Sequence, residues 1–271
     1  MKKIDSYLLF IVIVVITSCQ SKVKERKDEV YSRHLQKHIS LTVINTPVPN
    51  NKSDFNLLLL NDGQEIEKLR VKEIVDSLYR GKLIQPLIVV GINAFDRKNE
   101  YGVTGKPDAN GNGTYAEKYQ AFITGELLPF IKKKAAVRKF SSVALAGVDL
   151  GGLSAFDVAW DNAGKIDKVG VFSGSFGIID NDKNNYDSSA EDRIIINKIR
   201  SSRKRPHLQY WFYAAKKDSS MNDTKDLIDL IKRKNFINAG DITYLEDNNG
   251  SNDYDSWSHA IPRFLLWAES K

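Results

Sequence analysis

Cysteine is nearly absent: Cys19 is the only one in 271 residues, so no disulfide can form within the chain. Histidine is almost as scarce, with four copies, which restricts where an imidazole could serve as a base or ligand. The apolar stretch 7–16 near the N-terminus falls well short of the roughly 20 residues needed to span a bilayer. No internal repeat is present, and a hydrophobic content of 42% argues against a disordered or collagenous chain. The formal net charge is +6, with part of the excess in Lys2, Lys3, Lys22, Lys24, Arg26 and Lys27. No aromatic-interleaved basic surface accompanies it, so nucleic acid is not an expected partner and juxtamembrane charge is the simpler reading.

What is present starts at the N-terminus. Lys2 and Lys3, the short apolar run and then Ile16-Thr17-Ser18-Cys19 have the order of a secretion signal. The ending resembles a lipobox, where cleavage leaves a lipid-bearing cysteine. Residues 1–18 are therefore expected to be a leader, with Cys19 joining the chain to membrane lipid in the cell envelope, most simply at the outer membrane. Residues 19–36 are charged and nearly free of apolar periodicity, which reads as a tether. One globular domain is expected over residues 37–271.

Within that domain, β-branched alternation at 38–46, the apolar stretch 55–60 and the run PLIVVGI at 86–92 predict strands, the last buried on both faces. Apolar residues Ile66, Leu69, Ile74, Val75 and Leu78 recur at helical spacing. Helix and strand then alternate: helix 116–133, strand 143–146, helix 151–163, strand 169–172, strand 208–214, helix 224–234, strand 241–245 and a last helix through Trp257 and Trp267. This order predicts an α/β fold, a mostly parallel central sheet with helices on both faces. The polar, glycine-rich stretches 101–113 and 180–192 read as loops, on the side where open α/β sheets bind ligands.

The segment from Val143 to Ala155 carries the strongest local signal, a buried strand running through Gly147-Val148-Asp149-Leu150-Gly151-Gly152 into a helix. Small residues around a sharp strand-to-helix turn let the backbone crowd together and raise one side chain above the sheet. That is the nucleophile elbow of an α/β-hydrolase, and the raised residue is Asp149. The same aspartate would also serve as a helix cap, accepting backbone N–H groups and complementing the helix dipole.

Several blocks in order, LLLLNDGQ (57–64), PLIVVGI (86–92), NEYG (99–102), ALAGVDLGGLSAFDVAW (144–160), KVGVFSGSF (168–176) and a closing W-x-x-x-x-P-x-F-L-x-W (257–267), resemble the esterase family that includes enterochelin esterases and esterase D. The likeness runs from about Leu57 to Trp267 and is of the Bacteroidetes lipoprotein type. It implies an α/β-hydrolase fold with a Ser-His-Asp triad. Asp149 stands at the nucleophile position. Asp218, after YWFYAAKK, matches the acid position. Gly250-Ser251-Asn252-Asp253 fits the histidine motif with Asn252 in the base's place. An Asp- and Asn-rich stretch that some relatives carry after the acid is shortened here to residues 219–223.

Ester hydrolysis by such a triad needs an oxygen nucleophile, a base and an oxyanion hole. The hole is expected from backbone N–H groups of Leu150 and of a residue near Asn93. Asn252 has no group that titrates near neutral pH and cannot act as a base. Of the four histidines, His34 and His38 lie in or beside the expected tether and His207 precedes a strand; only His259 is close in sequence to the lost position. Ser154, Ser173 and Ser175 read as packing and turn residues, and Trp257, Phe264 and Trp267 as one core-facing helix side. If Asp149, Asp218 and Asp253 converge, with the Asn252 amide donating to one, they form an acidic pocket suited to a cation or amine. The run 247–255 matches no calcium-loop spacing, and no resident metal or cofactor is expected. The reading is thus a binding or accessory protein on an esterase scaffold, with an unidentified small molecule or envelope protein as partner. The alternatives are an active ester hydrolase using Asp149 with His259, and a structural envelope protein.

Overall fold

A computed structural model describes residues 22–47, 55–179, 193–218, 220–234 and 240–270. Eight strands form one sheet in the order β1-β2-β4-β3-β5-β6-β7-β8: β1 (Lys24–Ser32), β2 (Lys37–Asn45), β3 (Asn56–Asn61), β4 (Leu87–Ile92), β5 (Val143–Val148), β6 (Lys168–Phe172), β7 (Gln209–Ala215) and β8 (Ile242–Asp247). The first two joins, β1 to β2 and β2 to β4, are antiparallel and all others parallel.

Side-chain alternation sends successive strand residues to two separate cores. Leu57, Leu59, Leu145, Tyr210 and Phe212 face one, while Leu58, Leu60, Ala144, Ala146, Trp211 and Tyr213 face the other. The first core is closed by α3 (Ala116–Ala121), a π-helical turn at Phe122–Leu127, α4 (Leu128–Ala135), α5 (Asp149–Asp161), α6 (Ile194–Ser201) and α7 (Ser220–Arg233). The second is closed by α1 (Val71–Arg80) and α8 (Tyr254–Ala268). Helices on both faces explain why every residue of β3, β4 and β5 is buried and why these strands read as continuous apolar runs. A one-turn helix α2 (Arg97–Glu100) follows β4 and opens with Asp96 capping the Asn99 N–H.

The expected tether is corrected by β1. Residues 24–32 pair with β2 from Lys24↔Asn45 to Ser32↔Lys37, and Val23 is buried in the second core, so the folded body includes this segment and does not begin at residue 37. The strand lies at the sheet edge, where Lys24, Arg26 and Lys27 project into solvent while Ser32 is buried. Charged outward residues are a common guard on an exposed edge, and they remove the apolar alternation that marks an inner strand. The expected leader 1–18, Cys19 and the stretch 180–192 expected as a loop lie outside the described residues, as does the first residue of the stretch 219–223.

Candidate functional site

β5 ends at Val148 in an extended conformation (ψ 146°), and α5 starts at once with Asp149 at φ +49°. A left-handed conformation at a non-glycine residue costs about 1–2 kcal/mol, and such strain concentrates at functional turns. The turn closes only because its neighbours lack side chains. A methyl group on Gly147 would lie 2.3 Å from the Gly151 carbonyl oxygen, and one on Gly151 would lie 2.6 Å from Asp62 Oδ2. Asp149 therefore rides on a nucleophile-type elbow, as the glycine spacing predicts.

Its carboxylate does not cap α5, which has no side-chain cap. Instead, Ser175 Oγ donates to Asp149 Oδ1 at 2.5 Å, and the Ser175 N–H donates to the Asp149 carbonyl at 3.2 Å. From the other side Arg97 Nη2 reaches Asp149 Oδ2 at 3.2 Å and the Val148 carbonyl at 3.3 Å. Arg97 Nε donates to Asp62 Oδ1 at 3.0 Å, and the guanidinium lies 5.7 Å from the Tyr101 ring centre.

Asp62 comes from the end of β3, the strand beside β5, and is also left-handed at φ +58°. Its N–H donates to Tyr101 Oη at 2.9 Å, Gln64 Nε2 donates to its Oδ1 at 3.1 Å, and its Oδ2 is buried without a hydrogen-bond partner. Burial raises the Asp62 carboxyl above its ordinary range against the opposing pull of Arg97. Burial works against the Arg97 charge, but Asp62 and then Asp149 outweigh it and hold the guanidinium above its usual value. The elbow thus carries a cation clasped between two carboxylates, with the Arg97 and Asp149 side chains 34% and 38% exposed.

The remaining expected aspartates have hydrogen-bond partners other than Asp149 and Arg97. Asn252 is exposed in the turn before α8. Asp253 caps α8 by accepting the Ser256 N–H at 2.8 Å. Asp218 is buried past the end of β7, where it accepts from the Ser220 N–H at 2.9 Å and the Ser220 hydroxyl at 2.5 Å. Asp149, Asp218 and Asp253 each accept hydrogen bonds from groups outside the trio, Asp218 and Asp253 from neighbours in their own turns and Asp149 from Ser175 and Arg97. Among the described residues no cluster of three or more His, Cys, Asp or Glu could hold a metal. His259 has a side chain 71% exposed, with Nδ1 2.8 Å from the Asp255 carbonyl oxygen one turn back on α8.

Asn93 is also corrected as an oxyanion donor. Its N–H donates to the Ser40 carbonyl at 3.1 Å in continuation of the β2–β4 pairing. β3 separates β4 from β5, so the loop beside the elbow is the one after β3. Leu150 sits in the first turn of α5, where N–H groups lack intrahelical partners.

Arg97 and Ser175 are the residues that sequence reasoning missed. Arg97 is a single cation in a polar turn, and Ser175 reads as an ordinary turn serine. Ser173, at φ +50°, accepts from Trp257 Nε1 at 3.1 Å, which fits its expected packing role. Behind the elbow, the cavity lined by Tyr101, Val103, Leu150, Leu153 and Ile194 among others holds about 10 Å³, at most one water.

A family model described as "Putative esterase" matches residues 32–268. Comparison with curated proteins finds no match. Among solved structures, a ferulic acid esterase aligns with TM-score 0.71 and 18% identity over 92% of this chain and 98% of its own. The enterobactin esterase of Shigella flexneri aligns with TM-score 0.72 and 19% identity over 92% of this chain, which spans 60% of that longer protein. A siderophore hydrolase from Aspergillus nidulans aligns with TM-score 0.68 and 13% identity over 98% of both. At these identities the likeness establishes the α/β-hydrolase fold.

Proposed function

The chain belongs to the esterase family whose model spans residues 32–268, and from that premise we propose that it is a non-catalytic member, a binding or accessory protein anchored to the cell envelope by lipid on Cys19. The observation that carries the first part is the clasp on Asp149. Each carboxylate oxygen here already accepts a hydrogen bond, one from Ser175 and one from Arg97, which ties up electron density that attack on a substrate would use.

An aspartate nucleophile would in any case form an anhydride with an acyl group or an ester with an alkyl group, and a base would then be needed to activate water against it. Asn252 at the base position cannot take a proton, and the exposed His259 bonds back to its own helix. These features count against the alternative of an active carboxylic-ester hydrolase built on Asp149 and His259. The leader and Cys19 support envelope attachment through the order of their residues alone.

Turnover of short-chain aryl esters and of a feruloyl ester should stay at the buffer rate for the unmodified protein and for Asp149→Ala. The double change Asp149→Ser plus Asn252→His is expected to give measurable hydrolysis. Activity of the unmodified protein that disappears in Asp149→Ala would overturn the non-catalytic reading. Metabolic labelling with a radiolabelled fatty acid tests Cys19 separately: label should be incorporated and lost in Cys19→Ser.

A further inference from the structure

An open cleft lies far from the elbow, between α4 and the antiparallel end of the sheet. It encloses about 410 Å³, within the range of pockets that hold small ligands. Its floor is apolar, with Leu41 and Val43 from β2, Phe55 before β3, and Phe130 from α4. Its mouth is basic. Arg26 on β1 donates to Asn45 Oδ1 at 2.9 Å. Lys134 on α4 lies 3.4 Å from Asp28 and 5.2 Å from the Phe130 ring centre. Arg26 and Lys134 are both exposed, and Lys134 is paired with Asp28, a largely buried carboxylate that also lines the cleft.

The chain segments that supply Arg26 and Lys134 are basic beyond those two residues. The flanking segments 22–29 and 132–139 contain nine basic and three acidic residues. That excess of six equals the net charge of the whole chain, +6, so the remainder of the molecule is balanced. A cleft with an apolar floor and a cationic mouth matches an amphiphile with an apolar tail and an anionic head. Lipid headgroups of the phosphatidylglycerol type carry that charge, and basic segments are drawn to them. The apolar floor adds what a purely electrostatic surface lacks, a site in which a hydrocarbon chain can leave water.

We infer that this cleft binds one molecule of an anionic phospholipid, an acyl chain against Leu41, Val43, Phe55 and Phe130 and the phosphate between Arg26 and Lys134. The site is a second contact with the membrane, apart from the elbow and apart from any lipid on Cys19.

The test titrates dihexanoylphosphatidylglycerol, below its micelle concentration, into the full chain and follows heat and the unfolding midpoint. Dihexanoylphosphatidylcholine serves as the neutral comparison. Saturable binding of the anionic lipid is expected, at least tenfold tighter than the neutral one. The pair Arg26→Gln plus Lys134→Gln, both at the surface, should weaken it at least tenfold. Ala135→Trp, which fills the cleft, should abolish it. Cys19→Ser should leave the titration unchanged, so failure of the anchor reading and failure of the cleft are distinguishable. Equal affinity for the two lipids, or unchanged binding in the Gln pair, would overturn the inference. So would adhesion to phosphatidylglycerol vesicles without binding of the monomeric lipid, since that result is surface charge alone. If Ala135→Trp does not fold, the Gln pair still decides the question.

Discussion

Replacement of Glu269 by glutamine should make the protein more stable at pH 8 and leave it nearly unchanged at pH 4.5. Glu269 follows α8 and is 7% exposed, with Asn56 of β3 donating to its Oε2 at 2.6 Å. Burial raises the carboxyl to about 7, against the opposing hydrogen bond from Asn56 and the charge of Lys168. An unfolded glutamate titrates near 4.5. Below that pH both states hold the proton and no penalty exists. Between 4.5 and 7 the folded state binds more proton than the unfolded one, so stability falls as pH rises; above 7 the loss is complete.

A displacement from 4.5 to about 7 corresponds to roughly 3 kcal/mol at 1.36 kcal/mol for each pH unit. Lys168, itself lowered by burial and otherwise held by the carbonyls of Ala268 and Ser270 at 2.9 and 2.8 Å, loses a nearby negative charge in the variant. That loss offsets part of the gain. The net expectation is about 1–3 kcal/mol, or a midpoint higher by roughly 2–10 °C at pH 8. Thermal unfolding followed by circular dichroism at pH 4.5, 6 and 8 measures it. A difference between variant and parent that does not grow across that interval would refute the reasoning.

Arg97→Met should lower stability by about 2–4 kcal/mol, because it strips the buried Asp62 carboxylate of its cation, and Asp62→Asn in the same chain should recover part of the loss; urea midpoints of the single and double variants read both. Gly151→Ala should cost about 2 kcal/mol or more, since the new methyl meets Asp62 Oδ2, Asn61 and the Tyr101 ring at once, and a midpoint within error of the parent would show that the elbow has slack. Trp257→Phe deletes the hydrogen bond to Ser173 Oγ and should cost about 1 kcal/mol with the fold retained, as seen in the same denaturation series.

The inner sheet was legible because burial on two faces leaves little room for polar residues, so β4 stands out as LIVVGI. The elbow was legible for a related reason: Gly147 and Gly151 are there because a methyl group does not fit. What could not be read depends on space rather than on sequence neighbourhood. Arg97 meets Asp149 across 52 positions, and nothing in Asp96-Arg97-Lys98 announces that partner. Asn93 was misjudged because the chain order of β3 and β4 is reversed in the sheet. β1 escaped notice because an edge strand needs only part of its surface to be apolar, and α6 because its short apolar stretch, Ile194 to Ile196, stands next to a polar segment.

The pairing of β1 along its whole length with β2 also fixes a distance. With Val23 buried in the second core and Lys24 in the sheet, Cys19 stands four residues before the folded body, and four residues reach at most about 14 Å. A protein lipidated at Cys19 would then be moored on a short line rather than free to swing on a long one. It would present mainly its β1 edge to the bilayer, with the elbow's face set by the rigid sheet and not by a flexible stalk.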